Sequence, residues 1–296
     1  MFSKLNRNEE TLKRKYEKKI RPIVEWKSYD TLLEGMEEFL HLSAFMDPVN
    51  RTKNRSEQVP CWDHSRIHLS NPDPSADATD DYIHANYVKG FEKKKKYIIT
   101  QSPLPETVLD FFKMVDQYDC EVIVALTEIL EDGQSEVDAY WPTILGSNQN
   151  IGNYIIRNSK IEKKSDYTKY LLSIEDTTVP EKLRKVHLFH YYQWPAEAPP
   201  KNIDSFIHFT LAINTQVKEC AKSGNMGPIV VHGKTGLGRP ATFCTIYTCF
   251  EQMLKKEGPH VVSTILDIQK QRHSSLPTEA QFLFIFQVLK ELVNYM

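Results

Sequence analysis

Cysteine is scarce in this chain: five thiols in 296 residues, at positions 61, 120, 220, 244 and 249. They share no short spacing, and an odd number leaves one over from any pairing. That excludes a disulfide frame and points to reduced thiols inside a cell. Long apolar runs are missing as well. The longest, such as Phe282 to Phe286, is far too short to cross a bilayer, and the charged N-terminus has no leader-like apolar stretch. The formal net charge is only −2, so the overall balance asks for neither nucleic acid nor an anionic membrane. His187 and His190 flank a strand with no cysteine or carboxylate cluster at ligand spacing, so neither a metal nor any other cofactor is expected. Internal repeats, low-complexity linkers and domain boundaries are also absent. These absences leave a soluble, cytoplasmic protein with one domain over residues 1–296, of which about 1–25 form a helical extension.

What is present is ordinary for a globular α/β protein: 41% hydrophobic and 26% charged residues. The basic run Lys93, Lys94, Lys95 and Lys96 reads as a solvated loop. Helical spacing of Leu32, Leu33, Met36, Phe39 and Leu40 places helix in residues 1–45, and the Asn, Asp, Pro and Ser content of 46–80 predicts loop. Strands are expected at 83–88, 97–100, 122–126, 154–157, 170–174 and 186–192, with a helix over 105–118 opened by proline. The C-terminal third predicts a helix near 203–219, a buried strand at 229–232, and helices near 240–256, 261–271 and 278–295. Together these elements predict a mixed, twisted sheet flanked by helices.

The most informative stretch is Ile229-Val-Val-His-Gly-Lys-Thr-Gly-Leu-Gly-Arg-Pro-Ala-Thr. An apolar strand runs into a glycine-bearing loop, and an apolar helix starts directly after it. Such a turn aims backbone N–H groups and a positive helix end at one point, which suits phosphate or sulfate. Arg239 adds a guanidinium able to grip an oxyanion through two hydrogen bonds. Gly-Lys-Thr is also the end of a nucleotide-binding P-loop, but that motif needs glycine five positions before Gly233, where Pro228 stands.

His232-x-x-x-Gly236-x-Gly238-Arg239 instead resembles the signature loop of the protein-tyrosine phosphatases, His-Cys-Ser-x-Gly-x-Gly-Arg-[Ser/Thr]. The resemblance covers nearly the whole chain. Lys53-Asn54-Arg55 with Cys61, Asp63 and Arg66 is similar to the phosphotyrosine-loop region, and Asp81 to Val88 to the family's Asp-Tyr-Ile-Asn-Ala-Asn-Tyr segment. Tyr97 to Pro105, Tyr140-Trp141-Pro142, His190 to Pro195, and Thr278, Gln281 and Phe282 follow in the family's order. The single-domain form also resembles the tyrosine-phosphatase-like proteins of bracoviruses, which would place it in infected host cells, acting on immune signalling.

The resemblance implies a phosphate-binding set made of Lys234, Thr235, Gly236, Leu237, Gly238 and Arg239. It also exposes departures. Gly233 stands at the nucleophilic cysteine, Ala196 at the general acid, and Pro240 at the hydroxyl residue after the arginine. Ser56 replaces the aromatic wall of the pocket, and Pro277 the glutamine that positions water. Phosphate-monoester hydrolysis needs accelerations of up to roughly 10²¹-fold, so missing both nucleophile and acid implies that the chain is not an enzyme. Three functions stay open on this reading: a pseudophosphatase that captures tyrosine-phosphorylated proteins as a decoy, a scaffold for other signalling proteins with a vestigial pocket, and a residual hydrolase using another nucleophile.

Overall fold

The computed structural model describes residues 9–19, 41–70, 81–93, 95–128, 137, 139–179, 181–195, 198–222, 224, 226–272, 275 and 278–296. In chain order the N-terminal half holds helices α1 (Glu9–Lys19) and α2 (Ser43–Met46) and strands β1 (Arg66–His68), β2 (Tyr82–Val88) and β3 (Tyr97–Gln101). Helix α3 (Val108–Gln117) and strand β4 (Val122–Ala125) follow, then β5 (Asn148–Ile151), β6 (Tyr154–Lys163), β7 (Tyr167–Asp176) and β8 (Leu183–Tyr191). The remainder is α4 (Ile203–Ala221), β9 (Ile229–Gly233), α5 (Arg239–Leu254), α6 (Val261–Gln271) and α7 (Glu279–Leu292).

The nine strands of the described residues join one sheet in the order β1-β2-β3-β9-β4-β8-β7-β6-β5. The middle pairs, β3 with β9, β9 with β4 and β4 with β8, are parallel; the outer pairs are antiparallel. Every residue of β3, β4 and β9 is buried, the mark of strands covered on both faces. Successive side chains point to opposite faces. Ile99, Val124 and Val231 therefore pack with Phe209, Phe243, Ile265 and Leu289 of the four C-terminal helices. Ile98, Ile123 and Val230 pack with Phe111, Phe112 and Val115 of α3. Leu12 of α1 is buried in the first of these layers, and α1 lies against α7.

The α/β class and the mixed sheet agree with the sequence reading. Two strands escaped it. Arg66–His68 lies inside the stretch read as loop and has a single fully buried position, Ile67, too short for an alternation. Asn148–Ile151 is polar throughout its first three residues and is held by pairing with β6, which leaves no apolar signal. Pro48–Lys53, also read as loop, is a 3₁₀ helix whose N-terminus is capped by the Asp47 carboxylate. The apolar residues at 32–40 lie outside the described residues. No described helix is long and apolar enough to cross a membrane.

Candidate functional site

The carboxyl ends of β3, β9 and β4 meet where the chain leaves β9, the place where open α/β sheets bind ligands. Gly233 is in register with Gln101, and His232 with Ala125. Just beyond β3, the Ser102 amide donates to both the Gly233 carbonyl (2.9 Å) and the Lys234 carbonyl (3.0 Å). From the end of α6 comes Arg272, fully buried, whose Nη2 donates to the Thr235 carbonyl at 3.2 Å. Three successive carbonyls are thus tied to the body of the protein.

That tethering directs the amides. In a planar trans peptide the N–H points opposite to the C=O, and no peptide bond here is cis. The amides of Lys234, Thr235 and Gly236 therefore face away from Ser102 and Arg272. Among the described residues, none of the amides from Lys234 to Gly238 donates to another protein group. Gly236 has φ of +79°, and a Cβ there would lie 2.6 Å from the Thr100 carbonyl oxygen and from Arg272 Nη2. No side chain fits at that point, so the glycine is what lets the loop approach its support.

The support is itself a buried polar network. Arg272 Nη1 donates to Asn86 Oδ1 at 2.8 Å, and Nη2 also lies 3.1 Å from His84 Nδ1. His84 Nε2 is 2.7 Å from the Val59 carbonyl, which can only accept, so Nε2 carries the proton and Nδ1 accepts from Arg272. Burial, reinforced by the Arg272 charge, lowers the His84 pKa to about 3 and keeps the ring neutral. His232 is treated similarly: burial lowers its pKa to about 3. Its Nδ1 lies 3.3 Å from the Gly233 carbonyl and its Nε2 2.8 Å from the Tyr140 hydroxyl. It braces the loop backbone.

Arg239 opens α5 and is nearly buried, with Nη1 donating to the Leu126 carbonyl at 2.9 Å. Pro240 follows it in the first turn, where a missing N–H costs no helix hydrogen bond. The structure brings Gly233, Lys234, Thr235, Gly236, Leu237, Gly238, Arg239 and Pro240 into this one strand–loop–helix turn, with the Lys234 side chain exposed. Ser56 is half-buried, and its hydroxyl accepts from the Gln58 amide at 3.2 Å. Arg55 beside it docks on the Ser102 and Pro103 carbonyls. Ala196 and Pro277 lie outside the described residues. All five cysteines are free thiols. Cys244 and Cys249 are fully buried in α5, as small apolar residues would be.

Two supporting roles were not read from the sequence. Arg272 carries no local mark that separates a buried arginine from a solvated one near a helix end. His84 stands where the family segment has asparagine, and that difference was the available signal. Gln281, one of the residues that follow the family's order, has a structural role as well. It closes a capping box with Thr278 and packs so near Gly238 that a Cβ there would lie 3.1 Å from its Oε1.

The family model described as protein-tyrosine phosphatase matches residues 50–291. Tyrosine phosphatase H3 of Microplitis demolitor bracovirus is 33% identical over 267 residues, 84% of this chain and 83% of that protein. Probable tyrosine phosphatase protein N1 of the same virus is 34% identical over 80% of this chain and 74% of its own length. Human tyrosine-protein phosphatase non-receptor type 9 is 32% identical over 84% of this chain, which spans 43% of that protein. These relatives overturn the expectation that the chain is not an enzyme. They are named as phosphatases, and Cys61 is present, its Sγ 3.5 Å from Asn86 Oδ1 in the network behind the loop. Glycine at 233 and alanine at 196 say what those two positions lack, which is narrower than a statement about the whole reaction. With its strand order, its loop and its match over most of its length, the chain belongs to the protein-tyrosine phosphatase family.

Proposed function

We propose that the loop from Lys234 to Arg239 binds the phosphate of tyrosine-phosphorylated proteins, and that this chain acts by holding such proteins in the cytoplasm of a host cell. The observation that carries this reading is the set of outward amides. Their carbonyls are fixed by Ser102 and Arg272, so the donors are oriented before any ligand arrives. Preorganised donors lose little entropy on binding. The N-terminus of α5 and the buried cation of Arg272 add positive potential at the same place. None of this depends on a side chain at 233. Ser56 in place of an aromatic weakens grip on the tyrosine ring, so recognition rests on the phosphate more than on the aryl group.

Calorimetric titration with a phosphotyrosine peptide and its unphosphorylated twin tests the reading. Binding of the first alone, lost in Arg239→Ala and weakened in Arg239→Lys, is the expected result, because lysine keeps the charge but not the planar fork. Equal binding of both peptides, or binding indifferent to Arg239, would overturn it.

A further inference from the structure

Lys93, Lys95 and Lys96 of the basic run adjoin a cavity of about 300 Å³ together with Lys218 of α4. Its walls are mainly apolar: Val217, Ala221, Met226, Pro228, Ile229 and the ring of Tyr87. Pro228 and Ile229 lead into β9, so the cavity sits at the opposite end of that strand from the phosphate loop, about 15 Å away at the rise of a β-strand.

Charge bookkeeping leaves a surplus here. Lys96 is 2.6 Å from Glu251 and is neutralised by it. Of the other carboxylates adjoining the cavity residues, Glu92 pairs with Lys255 and Glu219 with Lys222. Lys95 and Lys218 form no ion pair among the described residues, and Lys93 shares Glu251 with Lys96 only through a longer-range attraction. Lys95 is nevertheless placed, its Nζ 4.3 Å from the centroid of the Tyr87 ring. Two unpaired cations, with Lys93 beside them, around an apolar floor suit a ligand with an anionic head and an apolar body. A bare phosphate would use the rim and leave the floor unfilled.

We infer that this cavity is a second binding site, separate from the phosphate loop, for an anionic amphiphile: a phosphate or carboxylate joined to an apolar chain. The volume lies at the small end of ligand pockets, enough for a head group and part of a chain. Such a molecule could be free or part of a lipid surface, and the two sources are separable.

Octyl phosphate titrated into the full chain provides the test, with inorganic phosphate as the headgroup-only control. Saturable binding of octyl phosphate, weakened roughly tenfold or more in Lys95→Glu/Lys218→Glu and unchanged in Arg239→Ala, supports the site. Sedimentation with vesicles containing phosphatidylserine, lost in the same double variant, would identify a lipid surface as the source. Octyl phosphate binding without vesicle binding would identify a soluble amphiphile. Binding lost in Arg239→Ala but kept in the double variant would move the ligand to the phosphate loop and overturn the proposal. Absence of binding at millimolar octyl phosphate, with a well-folded protein, would overturn it too.

Discussion

Acidification should weaken this protein before most of its carboxylates protonate. His84, His232 and His190 are buried as neutral rings. Burial lowers the first two to about 3 and His190 to about 4, where Nε2 sits 2.9 Å from the Thr127 carbonyl. In the unfolded chain each titrates near 6.5. The folded values are depressed, so the unfolded state binds more protons between about pH 6.5 and about pH 4. Stability is therefore complete above about 6.5 and falls as pH drops through that window. At about pH 5.5 each ring costs about 1.4 kcal/mol, and the three together about 4 kcal/mol, against total stabilities of about 5–15 kcal/mol. Glu251, raised by burial despite Lys96, works the other way, but it is one group against these three and half-buried His187. Urea unfolding followed by tryptophan fluorescence at about pH 7.5 and about pH 5.5 would read the difference directly. His84→Asn should remove about a quarter to a third of the pH dependence, since half-buried His187, also lowered to about 4 by burial, adds part of a fourth titration. A midpoint that holds steady or rises on acidification would refute the reasoning.

Other substitutions probe the loop itself. Gly233→Cys should fold, because a Cβ there meets the Leu126 carbonyl oxygen and Pro240 Cδ at 3.4 Å, ordinary contact distances. A thiol beside outward amides and a helix N-terminus is pushed towards thiolate, so hydrolysis of an aryl phosphate should rise above that of the parent chain; no rise in a folded variant would mean that the loop does not present its amides to that position. Gly236→Ala forces a Cβ to within 2.6 Å of Thr100 O at positive φ, and should cost about 2 kcal/mol or more in thermal unfolding together with loss of phosphate-dependent binding. Ser56→Tyr restores a ring at the pocket wall and should tighten phosphotyrosine-peptide binding by about 0.5–1.5 kcal/mol in calorimetry, without tightening inorganic phosphate.

How much was legible in the sequence follows from where each signal is stored. The central strands were readable because burial on both faces writes continuous apolar runs such as Ile229-Val230-Val231. The loop was readable because glycines at 236 and 238 adopt positive φ and a guanidinium opens the next helix. Edge strands were not, since Asn148–Ile151 is specified by its partner's hydrogen bonds and not by its own side chains. Nor was the scaffold behind the loop. Ser102, the strand pair His84 and Asn86, and Arg272 come from three separate places in the chain and meet only through the fold. Local pattern cannot record a contact between residues 186 positions apart.

That division bears on how the loop can lose residues and keep its shape. The positions that depart from the family pattern here, Gly233 and Pro240, lie on the ligand side of the turn or at the helix start. The groups that shape the turn lie behind it and bond to its carbonyls, not to the side chains that were exchanged. A side chain at 233 is therefore replaceable without moving the amides, whereas Arg272 is not. Its guanidinium satisfies Asn86, His84 and Thr235 at once, and removing it would leave three buried acceptors short of a donor.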